Sequence, residues 1–335
     1  MLMHFKPESM NVELTTNCPL SCPQCYCKLE GGKNIDKEKA IDWIRQAGEM
    51  GVCSVLLSGG ETLCYPHLYE VVSAAARYCG KVYTALSGYN FTDEVLDKLI
   101  DSGISGIFIS LNGSTEEINS LTRDGFSLAI SALSLLQKKG YSETWINWVM
   151  HSCNTDDFVK MLKLAESFNV KNLVVMTVKP DSNLELKTTP TAEKMRVFSE
   201  LIKGYKGKVQ IMVEACFSPM LALVFDDKYK GNSNVGTNKG CGAGITSFNI
   251  NVDAMLSPCR HLDYFESFNT LNEYWNQSSV LRQLRLLDYI KLPPCNGCYY
   301  SPYCRHCLAI NSKLHGSLYL GNKTCKLHLG NRIRF

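Results

Sequence analysis

The chain has 335 residues, 45% hydrophobic and 20% charged, enough for one barrel-sized globular domain and a smaller one. A formal net charge of +3 without any long Lys/Arg run gives no case for a nucleic-acid binder. Met1-Leu-Met-His-Phe-Lys-Pro-Glu8 does not read as a signal peptide, and no apolar run approaches the ~20 residues of a membrane span. Without an export signal, the 16 cysteines are expected to be metal ligands in a reducing cytoplasm, not a disulfide framework.

The first element, Asn11–Thr16, alternates and predicts a β-strand. Apolar runs at 52–57, 82–86, 104–110, 145–150 and 173–176 predict five more strands. Amphipathic stretches near 36–50, 66–79, 92–102, 126–139 and 155–168 predict the helices between them. Alternation of this kind argues for a parallel barrel or open barrel over residues 10–180, with its chemistry on loops at the C-terminal strand ends. A bridging region, 181–240, carries a helix at 191–203, a strand at 208–214, an apolar helix at 217–225 and a polar loop at 227–240. From 241 to 330 the chain reads as a loop-rich, cysteine-dense domain.

Directly after the first strand stands Cys18-Pro-Leu-Ser-Cys22-Pro-Gln-Cys25. Three thiolates at this spacing can hold three irons of a [4Fe–4S] cube and leave the fourth iron open for a substrate or cofactor. Cys27 follows too closely to close the same cube. A zinc knuckle is the plain alternative. After the second strand comes Ser58-Gly59-Gly60-Glu61, where paired glycines allow close backbone approach to a ligand and the carboxylate can take an ammonium group. A simple βα turn would use the same glycines.

The cysteine triad and the Gly59-Gly60-Glu61 loop together resemble the radical S-adenosylmethionine (SAM) superfamily. The family position before the third cysteine is often aromatic or His, and here it is Gln24. The resemblance implies a partial (β/α)6 TIM-like barrel, SAM chelated by the open iron, and reductive cleavage to a 5′-deoxyadenosyl radical. It implies that Gly59, Gly60 and Glu61 meet the SAM amino group, Ser110 and Asn112 the ribose, and Arg123 the carboxylate.

Seven cysteines fall within the 85 residues from Cys241 to Cys325. They resemble the SPASM domain, which implies two auxiliary [4Fe–4S] clusters and so three clusters in all. By that analogy Cys295, Cys298, Cys304 and Cys325 hold the outer cluster, and Cys241, Cys259 and Cys307 the inner one. Two departures stand out: Ala254 replaces an expected Gly, and Cys304-x2-Cys307 is one residue short. A four-cysteine zinc site built from the two Cys-x2-Cys pairs competes but leaves three cysteines idle. Cys216 is the fourth ligand of the inner cluster, a hydrogen-atom donor, or a buried core residue. Cys53 and Cys79 are expected in the core, and Cys27, Cys64 and Cys153 near loop tips. His261 and His306 are expected to hydrogen-bond or fill space beside the metal sites.

The resemblance implies a peptide substrate and maturation of a ribosomally made precursor by crosslink, thioether or epimerisation. An electron donor such as flavodoxin or ferredoxin is expected. Because the barrel starts near residue 10, leader recognition is expected from a separate protein or the barrel mouth. A sulfatase-type formylglycine maturase would carry Asp after the cysteine equivalent to Cys259, where this chain has Arg260. Radical modification of a small molecule and a non-catalytic iron–sulfur electron carrier are the other readings.

Overall fold

Met10, Val12 and Leu14 are buried while Ser9, Asn11 and Glu13 between them are half-buried, the period-two pattern of a strand with two different faces. They form β1 (Ser9–Thr15), and five parallel strands follow: β2 (Ser54–Gly59), β3 (Lys81–Leu86), β4 (Gly106–Ser110), β5 (Thr144–Met150) and β6 (Asn172–Thr177). The computed structural model of the protein describes residues 5–27, 32–179, 189–225 and 241–287, and beyond them 293, 295–296, 298, 304, 306–318 and 325.

Helices α1 (Lys37–Glu49), α2 (Leu68–Cys79), α3 (Asp93–Asp101), α5 (Phe126–Lys138) and α6 (Phe158–Ser167) connect these strands, with a short α4 (Glu116–Ser120) before α5. Asp36, Thr92 and Thr115 cap the N-termini of α1, α3 and α4 by accepting backbone N–H bonds. None of the described helices is long and apolar enough to cross a membrane.

The parallel sheet does not stop at residue 180. After α7 (Ala192–Gly204), β7 (Gln210–Val213) forms within the strand expected at 208–214, and it pairs with β6. Beyond α8 (Ser218–Phe225), β8 (Ser247–Ile250) returns to pair in parallel with β1, and β9 (Leu256–Ser257) adds an antiparallel edge. Among the described residues the strand order β7-β6-β5-β4-β3-β2-β1-β8-β9 is an open barrel with eight parallel strands. Parallel pairing brings the C-terminal end of each of those strands to one rim, where the loops converge.

The region read as loop-rich contains β8, β9, α9 (Leu271–Gln277), α10 (Ser279–Leu286) and α11 (Leu308–His315). β8 and α4 span four and five residues, too short for a periodic signal. Phe248 of β8 packs on Trp275, whose indole Nε1 donates to Phe5 O at 2.9 Å. Trp148 stacks on Phe198 at 5.6 Å, fastening α7 to the barrel wall. The polar loop at 227–240 lies outside the described residues.

Candidate active site

Cys18, Cys22 and Cys25 are half-buried on the loop after β1 and line a single cavity at the strand-end rim. A tight turn holds the last two, with Cys25 N donating to Cys22 O at 3.0 Å. The loop is tied to the β4 end: Ser21 N donates to Asp124 Oδ2 at 2.8 Å, and Gln24 N to Thr122 O at 3.1 Å. Burial pushes the Cys18 thiol up, and the nearby negative charges of Glu61, Cys22 and Cys25 push it further. Three thiolates crowded beside a carboxylate are a soft, anionic donor set that fits an iron–sulfur core.

Gly59 and Gly60 line the cavity and let β2 close onto the chain's own backbone. A Cβ on Gly59 would lie 2.4 Å from Thr15 O, and one on Gly60 2.3 Å from Asn17 O. Gly59 also has φ +139°, a conformation that favours glycine. Gly60 N and Glu61 N then donate to Thr15 O and Asn17 O at 2.7 and 2.8 Å. This docking sets Glu61, 2% exposed, in the cavity wall. Its carboxylate accepts from the Ser87 amide at 2.8 Å and from the Ser87 hydroxyl. Burial raises its pKa; Ser87, Leu63 N and Arg123 oppose the rise.

Arg123 Nε donates to Ser110 O at 3.1 Å, so the arginine lies against the β4 end, and both residues line the cavity. Asn112 is almost wholly committed to the protein. Its amide nitrogen donates to Gln24 Oε1 and Thr122 Oγ1 at 2.8 and 2.9 Å, and its oxygen accepts from Val149 N at 3.0 Å. A single lone pair of its oxygen is left unused by the protein. Gln24 also meets His151 Nε2, so the residue before the third cysteine braces the loop against β4 and β5.

Across the cavity, Cys216 sits in the segment after β7. Cys241 and Cys307 both hydrogen-bond to its sulfur, which lowers the Cys216 pKa well below that of an ordinary thiol and raises theirs. Cys259 packs in the same group and feels the Cys216 charge. Lys179, after β6, donates to Glu214 Oε1 at 2.5 Å in a pair nearly closed to solvent. Burial alone would drive this ammonium down, but the negative charges of Cys216, Glu214 and Cys307 outweigh it. Four thiols beside a fixed cation fit an anionic iron–sulfur cluster. Among the described residues, no group of three or more Cys, His, Asp or Glu is set for a single metal ion.

Cys304 belongs to a different group. Its neighbours are Cys325 and Cys295, and the Ser218 hydroxyl donates to its sulfur. Cys298 N donates to Cys295 O at 3.0 Å. The pair Cys304 and Cys307 is therefore split between two groups, which separates the two Cys-x2-Cys pairs needed for one zinc site. The shortened link between them passes through His306 at φ +42°. Ala254, where Gly was expected, has φ +59° in the β8–β9 turn. That turn asks for a left-handed residue, which is the physical reason for a glycine there.

Between the triad loop and the inner group lie Arg260 and His261, together with Tyr26, which the sequence reading did not single out. The Arg260 guanidinium sits over the Tyr26 ring at 4.7 Å, and His261 packs edge-on against Tyr26 at 4.4 Å. Arg260 Nε is 3.6 Å from Glu13 Oε1. The available signal was adjacency: Arg260 and His261 follow Cys259, and Tyr26 follows Cys25. The His261 backbone N donates to Cys259 Sγ at 3.4 Å.

Of the remaining cysteines, Cys79 is core as expected, whereas Cys53 is exposed on the residue before β2. Its thiol donates to Glu8 O at 3.4 Å, and the strand itself starts one residue later, at Ser54. Cys153 is exposed, and Cys64 is half-buried on the turn after Glu61. Cys27 donates to Gly59 O at 3.0 Å and so ties the triad loop to the glycine pair.

The sequence profile of the Radical SAM superfamily matches residues 12–165. A protein named PqqA peptide cyclase from Ruegeria pomeroyi is 28% identical over 314 residues, covering 87% of this chain and 79% of the relative. One of the same name from Gluconobacter oxydans is 25% identical, covering 89% and 84%. The fold is that of Streptococcus suis SuiB bound to S-adenosylmethionine, with TM-score 0.76 at 18% identity over 96% of this chain and 77% of that one. It is also that of anSMEcpe with bound AdoMet and Cp18Cys peptide, with TM-score 0.74 at 16% identity over 98% and 96%.

Proposed function

Because residues 12–165 of this chain form a radical SAM superfamily domain, we propose that the protein is a radical SAM enzyme that modifies a peptide, in the maturation of a ribosomally synthesised precursor. The observation that carries this reading is the single cavity of ≈ 480 Å³, lined on one side by Cys18, Cys22, Cys25 and Glu61 and on the other by Cys216, Cys241 and Cys259. A volume of this order suits SAM plus part of a peptide.

In this reading Cys18, Cys22 and Cys25 hold the SAM-binding cluster. Glu61 takes the SAM ammonium, Arg123 the carboxylate, and Ser110 and the free lone pair of Asn112 the ribose. Bound there, cluster and SAM supply, on one-electron reduction, a 5′-deoxyadenosyl radical that takes hydrogen from an unactivated C–H bond. The chain's own work is placement. The buried Glu61 and the anchored Arg123 orient SAM, and the half-enclosed cavity keeps water from the reacting carbon.

Two auxiliary clusters complete the set, one on Cys216, Cys241, Cys259 and Cys307 and one on Cys295, Cys298, Cys304 and Cys325. Cys216, Cys241, Cys259 and Cys307 would hold the inner cluster beside Lys179, where it would supply one-electron redox chemistry. A small redox protein such as flavodoxin or ferredoxin supplies the reducing electron. A leader-binding protein or the cavity mouth presents the precursor.

The curated relatives bear the name of a peptide cyclase, which favours a ring-forming crosslink over epimerisation. Formylglycine formation is disfavoured by Arg260 at the position where those enzymes carry Asp. Deuterium transfer tests the proposal. A deuterated peptide encoded beside this gene should pass its label to 5′-deoxyadenosine. Label arriving only from a small metabolite would refute a peptide substrate.

A further inference from the structure

Three Lys or Arg side chains among the described residues line the cavity: Arg123, Lys179 and Arg260. Arg123 is anchored on Ser110 O and faces the SAM side. Lys179 is paired at 2.5 Å with Glu214. Arg260 differs from both. Its side chain is 14% exposed, and its Nε and one terminal nitrogen are buried with no hydrogen-bond partner. The nearest carboxylate oxygen, on Glu13, lies 3.6 Å away, beyond hydrogen-bond reach.

The guanidinium is held in position. One face lies on Tyr26, beside Cys25, and the backbone continues directly from Cys259. A guanidinium carries its charge whatever its surroundings, so burial does not neutralise it. A buried, charged fork with unmet donors favours a planar anion that accepts both N–H bonds at once. A carboxylate matches that geometry.

We propose that Arg260 is the anion subsite of this cavity and binds a carboxylate of the substrate between the triad loop and the inner cysteine group. If the substrate is the peptide proposed above, on which this assignment rests, the carboxylate is an Asp or Glu side chain or the C-terminus. Anchoring it there places the neighbouring carbons between the two cysteine groups. Arg260 thereby decides which residue of the peptide is presented to the radical. Loss of the bidentate contact leaves both partners unpaired in a dry site, so discrimination against a neutral isostere should be steep.

The test is titration calorimetry on the reconstituted, SAM-loaded holoenzyme, with iron content matched across variants. The probes are glutarate, N-acetyl-Ala-Glu-Ala amide, N-acetyl-Ala-Gln-Ala free acid and N-acetyl-Ala-Gln-Ala amide. The wild-type protein should bind a carboxylate-bearing peptide about tenfold or more tightly than the neutral amide. The Glu amide identifies a side chain as the ligand, and the free acid identifies the terminus. Arg260→Gln should bring the ratio to about one, and Arg260→Lys, which keeps the charge without the fork, should fall between. Arg260-dependent glutarate binding with no peptide binding would uphold the subsite and refute the peptide reading. Absence of any carboxylate preference, or a preference unchanged in Arg260→Gln, would overturn the assignment.

Discussion

The Ser21 amide donates to Asp124 Oδ2 at 2.8 Å, joining the triad loop to the residue beside Arg123 across 103 positions of sequence. The triad loop and the Arg123 segment are thus one mechanical unit, reinforced by the Gln24 amide on Thr122 O. Asp124→Ala removes a charge-assisted bond and should cost about 1–2 kcal/mol locally. The expected outcome is weaker SAM binding, by roughly tenfold, with near-normal iron content. Equal SAM affinity in the variant would show that the two loops hold their places independently.

Ala254 occupies a left-handed position, φ +59°, between Asn251 and Met255 in the β8–β9 turn. Ala254→Gly relieves the Cβ penalty there and should stabilise the protein by about 0.5–1 kcal/mol, read as a raised thermal midpoint. A lowered midpoint would mean that the unfolded chain's gain in freedom outweighs the relief.

Cys216 is placed to complete the inner group with Cys241, Cys259 and Cys307. Cys216→Ala should lower iron from about 12 toward about 8 per chain, or change the spectrum of one cluster, with no zinc appearing. Full iron and an unchanged spectrum, with SAM cleaved and product lost, would instead make the thiol a hydrogen-atom donor.

His151 is buried, and burial pushes its imidazole down to about 4. The neutral ring donates from Nε2 to Gln24 Oε1, and its buried Nδ1 has no acceptor for a second proton. The folded pKa lies below the unfolded one, so the folded state binds fewer protons between the two values. Stability from this group is therefore complete above about pH 6.5 and is lost as pH falls toward 4, by up to about 3 kcal/mol. Unfolding midpoints measured across that range should flatten in His151→Gln, whose amide donates without titrating. The same slope in both proteins would assign the acid sensitivity elsewhere.

The parts of the fold legible in the sequence were those with local periodicity. Met10, Val12 and Leu14 announce β1 by alternation, and the thiol spacing of Cys18, Cys22 and Cys25 reads directly as a three-point ligand set. β8 was not legible, because four residues carry no period and its partner, β1, is more than 200 residues away. The role of the glycine pair was half legible. The need for close approach was plain, but the approach to Thr15 O and Asn17 O is set by the fold. Arg260 has no motif of its own; its meaning comes from Tyr26 and Glu13, which the fold alone brings to it.

If Cys18, Cys22, Cys25 and Glu61 form a SAM-cleaving site, the yield of 5′-deoxyadenosine reports on it. Anaerobically reconstituted protein, given SAM and dithionite, should produce 5′-deoxyadenosine and methionine in equal amounts. The triple variant Cys18→Ala, Cys22→Ala, Cys25→Ala should produce neither while keeping the irons of the other cysteine groups. Cleavage by the triple variant, or none by a wild-type protein carrying its full iron, would contradict the account.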